Sequence, residues 1–341
     1  MTAVRAIGPE SGESGRTRGL IEHDHQQDGI DRRGFLKCMA WAGAGVVFTV
    51  GAGGITSRAL AAAASAGAPG VTGSFSFVQI SDSHIGFHKA ANRDVIGTLE
   101  AAVARINALP ERPAFVIHTG DHVHLSRPSE FDAAKQVIGT IRTDQTFHVP
   151  GEHDVFVDGG KRYRRVFGRG SKGAGWYSFD LNGVHMLGLA NVQATEGNGR
   201  NVNGLGVLGP EQLAFIKRDL ARLPSDTPIV IFGHVPLLAV YPRWGWATAD
   251  SAQVLALLRR FSSVTALNGH IHQIVTKREG NLVMHTAAST AYPLHPPGQG
   301  APTPLVLPAG ELPHRIGIRD VTFTRGSSSL ALIDEALTPG A

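Results

Sequence analysis

A chain of 341 residues that is 42% hydrophobic and 18% charged has the makeup of a soluble globular protein, which excludes a largely disordered one. Its formal charge of +4 is small for the length, and its lysines and arginines are scattered, so no nucleic-acid-binding surface is expected. The single cysteine, Cys38, lies near the N-terminus and leaves the rest of the chain with neither a disulfide nor a thiolate metal ligand.

The first informative segment is Asp31-Arg32-Arg33-Gly34-Phe35-Leu36-Lys37. An apolar, glycine-rich run follows from about residue 38 to 55, then small residues at Ala59-Leu60-Ala61 and Ala64-Ser65-Ala66 that fit a cleavage site. A basic start, an apolar centre and small residues at the cut make a signal peptide, and the run is too weakly apolar to stay in lipid. The arginine pair with Phe35-Leu36-Lys37 resembles the twin-arginine export signal. That resemblance implies passage through the twin-arginine export machinery in the folded state. It also implies a periplasmic or secreted mature chain with no stable membrane insertion. Cys38 lacks the context of a lipoprotein cysteine, so no lipidation is expected. Residues 1–66 are read as signal and linker, and 67–341 as one catalytic domain.

From Phe75 to Ile80 strand formers alternate, predicting a strand that ends at Ser81-Asp82-Ser83-His84. Val95, Ile96, Leu99, Val103 and Ile106 recur at helical spacing, and Pro110 and Pro113 close that helix. Residues 114–118 form a short apolar strand ending at Gly120-Asp121. A helix over about 131–141 leads to a strand at 146–149, which ends at Gly151-Glu152-His153-Asp154. Asn182-Gly183 joins two strands in a hairpin, 176–180 and 184–189. Then come a helix over 210–223, a strand over 228–232 ending at Gly233-His234, and a helix over 254–261. A strand over 264–268 ends at Gly269-His270-Ile271-His272, and one more strand spans 282–286. The stretch 293–313 is rich in Pro, Gly and His and reads as loop. Alternating strands and helices predict an α/β domain with parallel pairing.

Five polar clusters thus sit just beyond strands, where ligands bind in open α/β sheets. In the pairs Asp82/His84 and His270/His272, side chains two apart in extended chain point the same way, so one loop can offer two ligands. Imidazole and carboxylate donors without thiolate suit manganese, iron or zinc. Asp82, His84, Asp121, Glu152, His234, His270 and His272 exceed what one ion needs beside a substrate. They match two divalent or trivalent ions about 4 Å apart that share a carboxylate.

The ordered series D-x-H, G-D, G-E-H-D, G-H and G-H-x-H resembles the calcineurin-like metallophosphoesterase superfamily over about residues 75–290. The resemblance implies a four-layer αββα sandwich, two mixed sheets flanked by helices, rather than a simple doubly wound sheet. It implies one ion held by Asp82, His84, Asp121 and His272, and a second by Asp121 as bridge, Glu152, His234 and His270. His153 would protonate the leaving oxygen and Asp154 would orient it. The implied activity is hydrolysis of phosphate mono- or diesters by a metal-bridged hydroxide, with a small phosphoester as substrate. Glu152 departs from the pattern, which has Asn there. Its added charge should tighten the second site, favour a higher-valent ion and weaken the pull on an anionic phosphate. On that departure alone rests the alternative, a metal-binding exported scaffold without catalysis.

The remaining histidines carry no such pattern. His118, His148 and His185 read as strand residues, whereas His122 and His124 flank Asp121 and could face the site. Asn268 reads as a support for the His270 loop. Trp244 and Trp246 read as local packing or as an aromatic lip over the pocket.

Overall fold

The computed structural model describes residues 46–51, 54–59, 73–192, 206–327 and 329–338, all within one compact unit, Val46–Ala341. The arginine pair, Leu60-Ala61 of the first cleavage-site candidate, the whole of the second and the linker lie outside the described residues. Of the apolar run only an antiparallel pair is described, β1 (Val46–Gly51) with β2 (Gly54–Ala59).

Two mixed sheets stack face to face. The first has the order β13-β12-β3-β4-β5, from β3 (Phe75–Ile80), β4 (Val116–His118), β5 (Thr146–His148), β12 (Gly317–Phe323) and β13 (Leu330–Ala336). The second has the order β10-β11-β9-β8-β7-β6, from β6 (Tyr177–Leu181), β7 (Val184–Leu189), β8 (Ile229–Gly233), β9 (Val264–Asn268), β10 (Val275–Glu279) and β11 (Leu282–Thr286). The central pairings, β3-β4-β5 and β7-β8-β9-β11, are parallel as expected, whereas β13, β12, β10 and β6 add antiparallel partners.

Alternation along each strand builds the layers. In β3, Phe77 joins Phe115, Met186, Phe232 and Val321 between the sheets, while Val78 and Ile80 face the opposite way into a second core. That second core is filled by α1 (Val95–Asn107) and α2 (Pro128–Ile138) through Leu99, Val103, Phe131 and Ile138. In β8, Val230 and Phe232 face the other sheet, whereas Ile229 and Ile231 meet α5 (Gly209–Leu220) and α6 (Ser251–Leu258). The αββα sandwich is therefore the architecture. Burying large apolar side chains in each interface, at roughly 1.5–3 kcal/mol apiece, dominates its stability.

Two short helices, α3 (Glu152–Val155) and α4 (Lys161–Val166), and the strands β10, β12 and β13 are additions to the expected elements. The tail at 293–313 is irregular as expected up to residue 311, where a 3-10 turn at Leu312–His314 closes it.

Candidate metal centre

All five polar clusters meet where the carboxyl ends of the two sheets converge. The ligand loops are tied to one another by their backbones: Asp82 N–H donates to Gly120 O, His84 N–H to Asp121 O, and Gly269 N–H to His234 O. Close approach explains the glycines. A Cβ on Gly151 would lie 2.1 Å from Asp121 Oδ1, and one on Gly269 would lie 2.1 Å from Ser81 Oγ.

The local backbone differs from the extended chain expected at the paired ligands. Asp82, His84, Asp121, His270 and His272 all have left-handed φ, between 43° and 70°. Side chains in each D-x-H and H-x-H pair therefore converge through tight left-handed turns, not through strand alternation. An L-residue there costs on the order of 1–2 kcal/mol, although Asp and His tolerate the region better than most.

The donors gather in two groups around Asp121. In one, His84 Nε2 and His272 Nε2 are 3.1 Å apart and His272 Nε2 is 3.2 Å from Asp82 Oδ1. In the other, Glu152 Oε2 lies 2.9 Å from His234 Nε2 and Glu152 Oε1 lies 2.9 Å from His270 Nδ1. Asp121 Oδ2 sits between them, 3.6 Å from His84 Nε2 and 3.4 Å from His234 Nε2. All seven sequence-expected ligand residues are thus brought together.

Backbone carbonyls set the tautomers of two rings. His234 Nδ1–H donates to Thr119 O at 2.7 Å and His272 Nδ1–H donates to Tyr292 O at 2.6 Å, leaving each Nε2 lone pair aimed into the cage. Glu152 Oε2, His234 Nε2 and both ring nitrogens of His270 are buried without an aligned hydrogen bond, despite the 2.9 Å approaches. Each such orphaned group costs about 1–3 kcal/mol. Donors converging on a common point without bonding one another fit a cation at their focus. The absence of thiolate suits manganese, iron or zinc.

Charge crowding leaves its mark on the acids and bases. Burial and the neighbouring Glu152 carboxylate raise the Asp121 carboxyl above its ordinary range, against the pull of His234 and His153. Burial also opposes ionisation of Glu152, but His270 and His234 hold its carboxyl well below the usual value. Burial pushes His84 well down, helped by His153, His272 and His124. For His153 burial works downward too, yet Asp121 and Glu152 leave it raised.

His153 sits on the more open side, its side chain 22% exposed where that of Asp121 is 2%, with Nε2 4.0 Å from Asp121 Oδ2. Its ring is oriented by the His124 carbonyl, which accepts from Nδ1–H at 2.7 Å. Asp154, expected to orient that ring, instead binds His122 Nδ1 at 2.9 Å and accepts from the Val123 and Gly151 N–H groups. Residues 153 and 154 are neighbours in the α3 turn, so their side chains diverge by about 100°. Asp154 therefore fixes the loop rather than the ring.

Of the flanking histidines, His122 turns inward against His118 and His148, whereas His124 faces the site, its ring 4.8 Å from that of His153. Asn268 Nδ2 donates to Gly233 O and so ties the β9 end to the β8 end. Tyr292, not foreseen, covers the first group, its ring 5.1 Å from His84 and 4.9 Å from His272.

This fold and cage define a metal-dependent phosphoric ester hydrolase. The calcineurin-like phosphoesterase profile matches residues 75–274, and the chain belongs to that family. It is similar to the glycerophosphodiester phosphodiesterase GpdQ of Enterobacter lignolyticus, 25% identical over 62% of this chain and 76% of that one. It is also similar to a probable cyclic nucleotide phosphodiesterase of Rhodopseudomonas palustris, 31% identical over 47% of this chain and 57% of that one. Among solved structures, a dimetal phosphatase from Danio rerio shares the fold at a TM-score of 0.58 and 15% identity, covering 77% of this chain and 96% of that one.

Proposed function

We propose that the protein is an exported phosphoesterase with a two-ion centre that hydrolyses phosphate mono- or diesters. The observation that carries this is the placing of Asp121 Oδ2 between two converging donor groups. Asp82, His84, Asp121 and His272 would hold one ion, and Asp121, Glu152, His234 and His270 the other. Bound ions would supply Lewis acidity toward the phosphoryl oxygens and a nucleophile made from water at neutral pH.

The chain's own residues supply the rest. His153, held by the His124 carbonyl, stands on the open side as proton donor to the leaving oxygen; burial works against its charged form, but Asp121 and Glu152 leave its proton affinity raised. Buried Tyr292 and half-buried Trp246 lie against the ligand rings and restrict water around them. Glu152 keeps its place in the second donor group and spans both His234 and His270, which supports a working site with altered metal preference. The named activities of the two sequence relatives support diesters as the first substrates to try.

The test is metal content together with hydrolysis of bis-p-nitrophenyl phosphate and p-nitrophenyl phosphate, for the mature protein, Glu152→Asn and His153→Ala. About two ions per chain, turnover, and a loss of roughly 10²–10⁴ in His153→Ala with metal retained are expected. Full metal without turnover, and activity gained in Glu152→Asn, would favour the non-catalytic scaffold. Failure to bind manganese, iron or zinc would remove the proposal altogether.

A further inference from the structure

Three aromatic rings run outward from the cage. Trp246 lies 4.6 Å from the His270 ring, Trp244 lies 5.0 Å from Trp246, and Tyr241 meets Trp244 edge-on at 5.6 Å. All three stand on the loop between β8 and α6, which begins at His234, so the ladder is rooted in the second donor group at two points. The loop is pinned: Thr248 N–H donates to Pro236 O at 2.8 Å, and Lys277 Nζ donates to Ala239 O at 2.8 Å. Its inner end, Trp246, packs against the core that contains Tyr292 and Leu294.

Each of the three rings is only half-buried, so the ladder keeps aromatic surface in contact with solvent beside the cage. A polyol leaving group needs hydrogen-bond partners, and a pinned row of indole and phenol rings offers chiefly stacking faces.

We propose that Tyr241, Trp244 and Trp246 form the leaving-group subsite and select phosphoesters whose leaving alcohol carries a planar aromatic ring. The inference rests on the phosphoesterase reading of the cage. Water splits the P–O bond on that side, the phosphoryl group stays over the cage, and the ring-bearing alcohol departs along the ladder with the proton from His153. Stacking of this kind changes affinity by about tenfold to a hundredfold per ring.

The experiment compares kcat/KM for bis-p-nitrophenyl phosphate and glycerophosphocholine in the metal-loaded protein, Trp244→Leu, Trp244→Tyr and Trp246→Leu, with metal content measured for each. Trp244→Leu should lower the aromatic ester's kcat/KM at least tenfold more than that of glycerophosphocholine, chiefly through KM, and Trp244→Tyr should restore most of it. Separately, p-nitrophenylphosphonate should quench tryptophan fluorescence in the parent protein and lose that quench in Trp244→Leu; of the four tryptophans, Trp176 is buried. Equal losses on both esters, or no loss, would leave the rings as local packing and overturn the subsite. A metal-loaded protein that hydrolyses neither ester would defeat the phosphoesterase reading, and the fluorescence result would still decide the ladder.

Discussion

At the scale of single residues, side-chain chemistry and backbone strain act on the same atoms. Asp82, His84, Asp121, His270 and His272 occupy left-handed backbone that most residues avoid, and the same turns aim their donors inward. Half-buried His285, away from the cage, adds a pH dependence of definite sign. His285 is lowered to about 3, first by burial and then by Arg319, against an ordinary 6.5. The unfolded chain therefore binds a proton that the folded one does not, so this contribution is full above pH 6.5 and lost as pH falls toward 3. His285→Gln should flatten the acid limb of a plot of thermal midpoint against pH between 7 and 4. An unchanged limb would show that the side chain is already protonated in the folded state. The seven donors were legible because their residue types and order carry the chemistry. Their supports were not: Thr119, His124 and Tyr292 act through backbone carbonyls, which any residue supplies.

At the scale of elements, the helices and central strands were legible because their apolar periods are strong. The misplacements have local causes. Helix α2 starts at Pro128, a residue suited to the first helical turn, one turn before its first large apolar residue. Strand β12 carries Arg319 and Asp320, which break the apolar pattern. Arg319 is nevertheless buried, because Asp334 on β13 takes its guanidinium through two hydrogen bonds of 2.8 and 3.0 Å. Strand β10, Val-Thr-Lys-Arg-Glu, lies at a sheet edge where one side faces water. The joint between β5 and α3 is the least forgiving element boundary. A methyl group on Gly151 would stand 2.3 Å from the Asp121 backbone nitrogen, so Gly151→Ala must move the loop that carries Glu152 and His153. The expected result is a loss of about 1–3 kcal/mol in denaturant stability together with weaker metal binding. Parent-like values for both would mean the two loops have slack not evident in their packing.

At the scale of the whole molecule, the sandwich holds the cage at one end, and export would be a property of the entire chain. We propose that the Arg32-Arg33 segment directs export; among the described residues no helix is long and apolar enough to cross a membrane. Replacing both arginines by lysine should leave the full-length precursor in the cytoplasm in fractionation experiments. Undiminished appearance of the processed protein outside would assign its export to another route. The order of the first sheet bears on when such a protein is ready. Strand β3, which leads into Asp82, lies between β4 and β12, and Phe75 is paired with Phe323. During synthesis the strand that introduces the first ligand is made before its β12 neighbour, and one of its edges stays open until residues 81–316 have followed. Until that moment the nascent chain offers a bare Phe-Ser-Phe-Val-Gln-Ile edge to its neighbours, and β12, once delivered, acts as its cover.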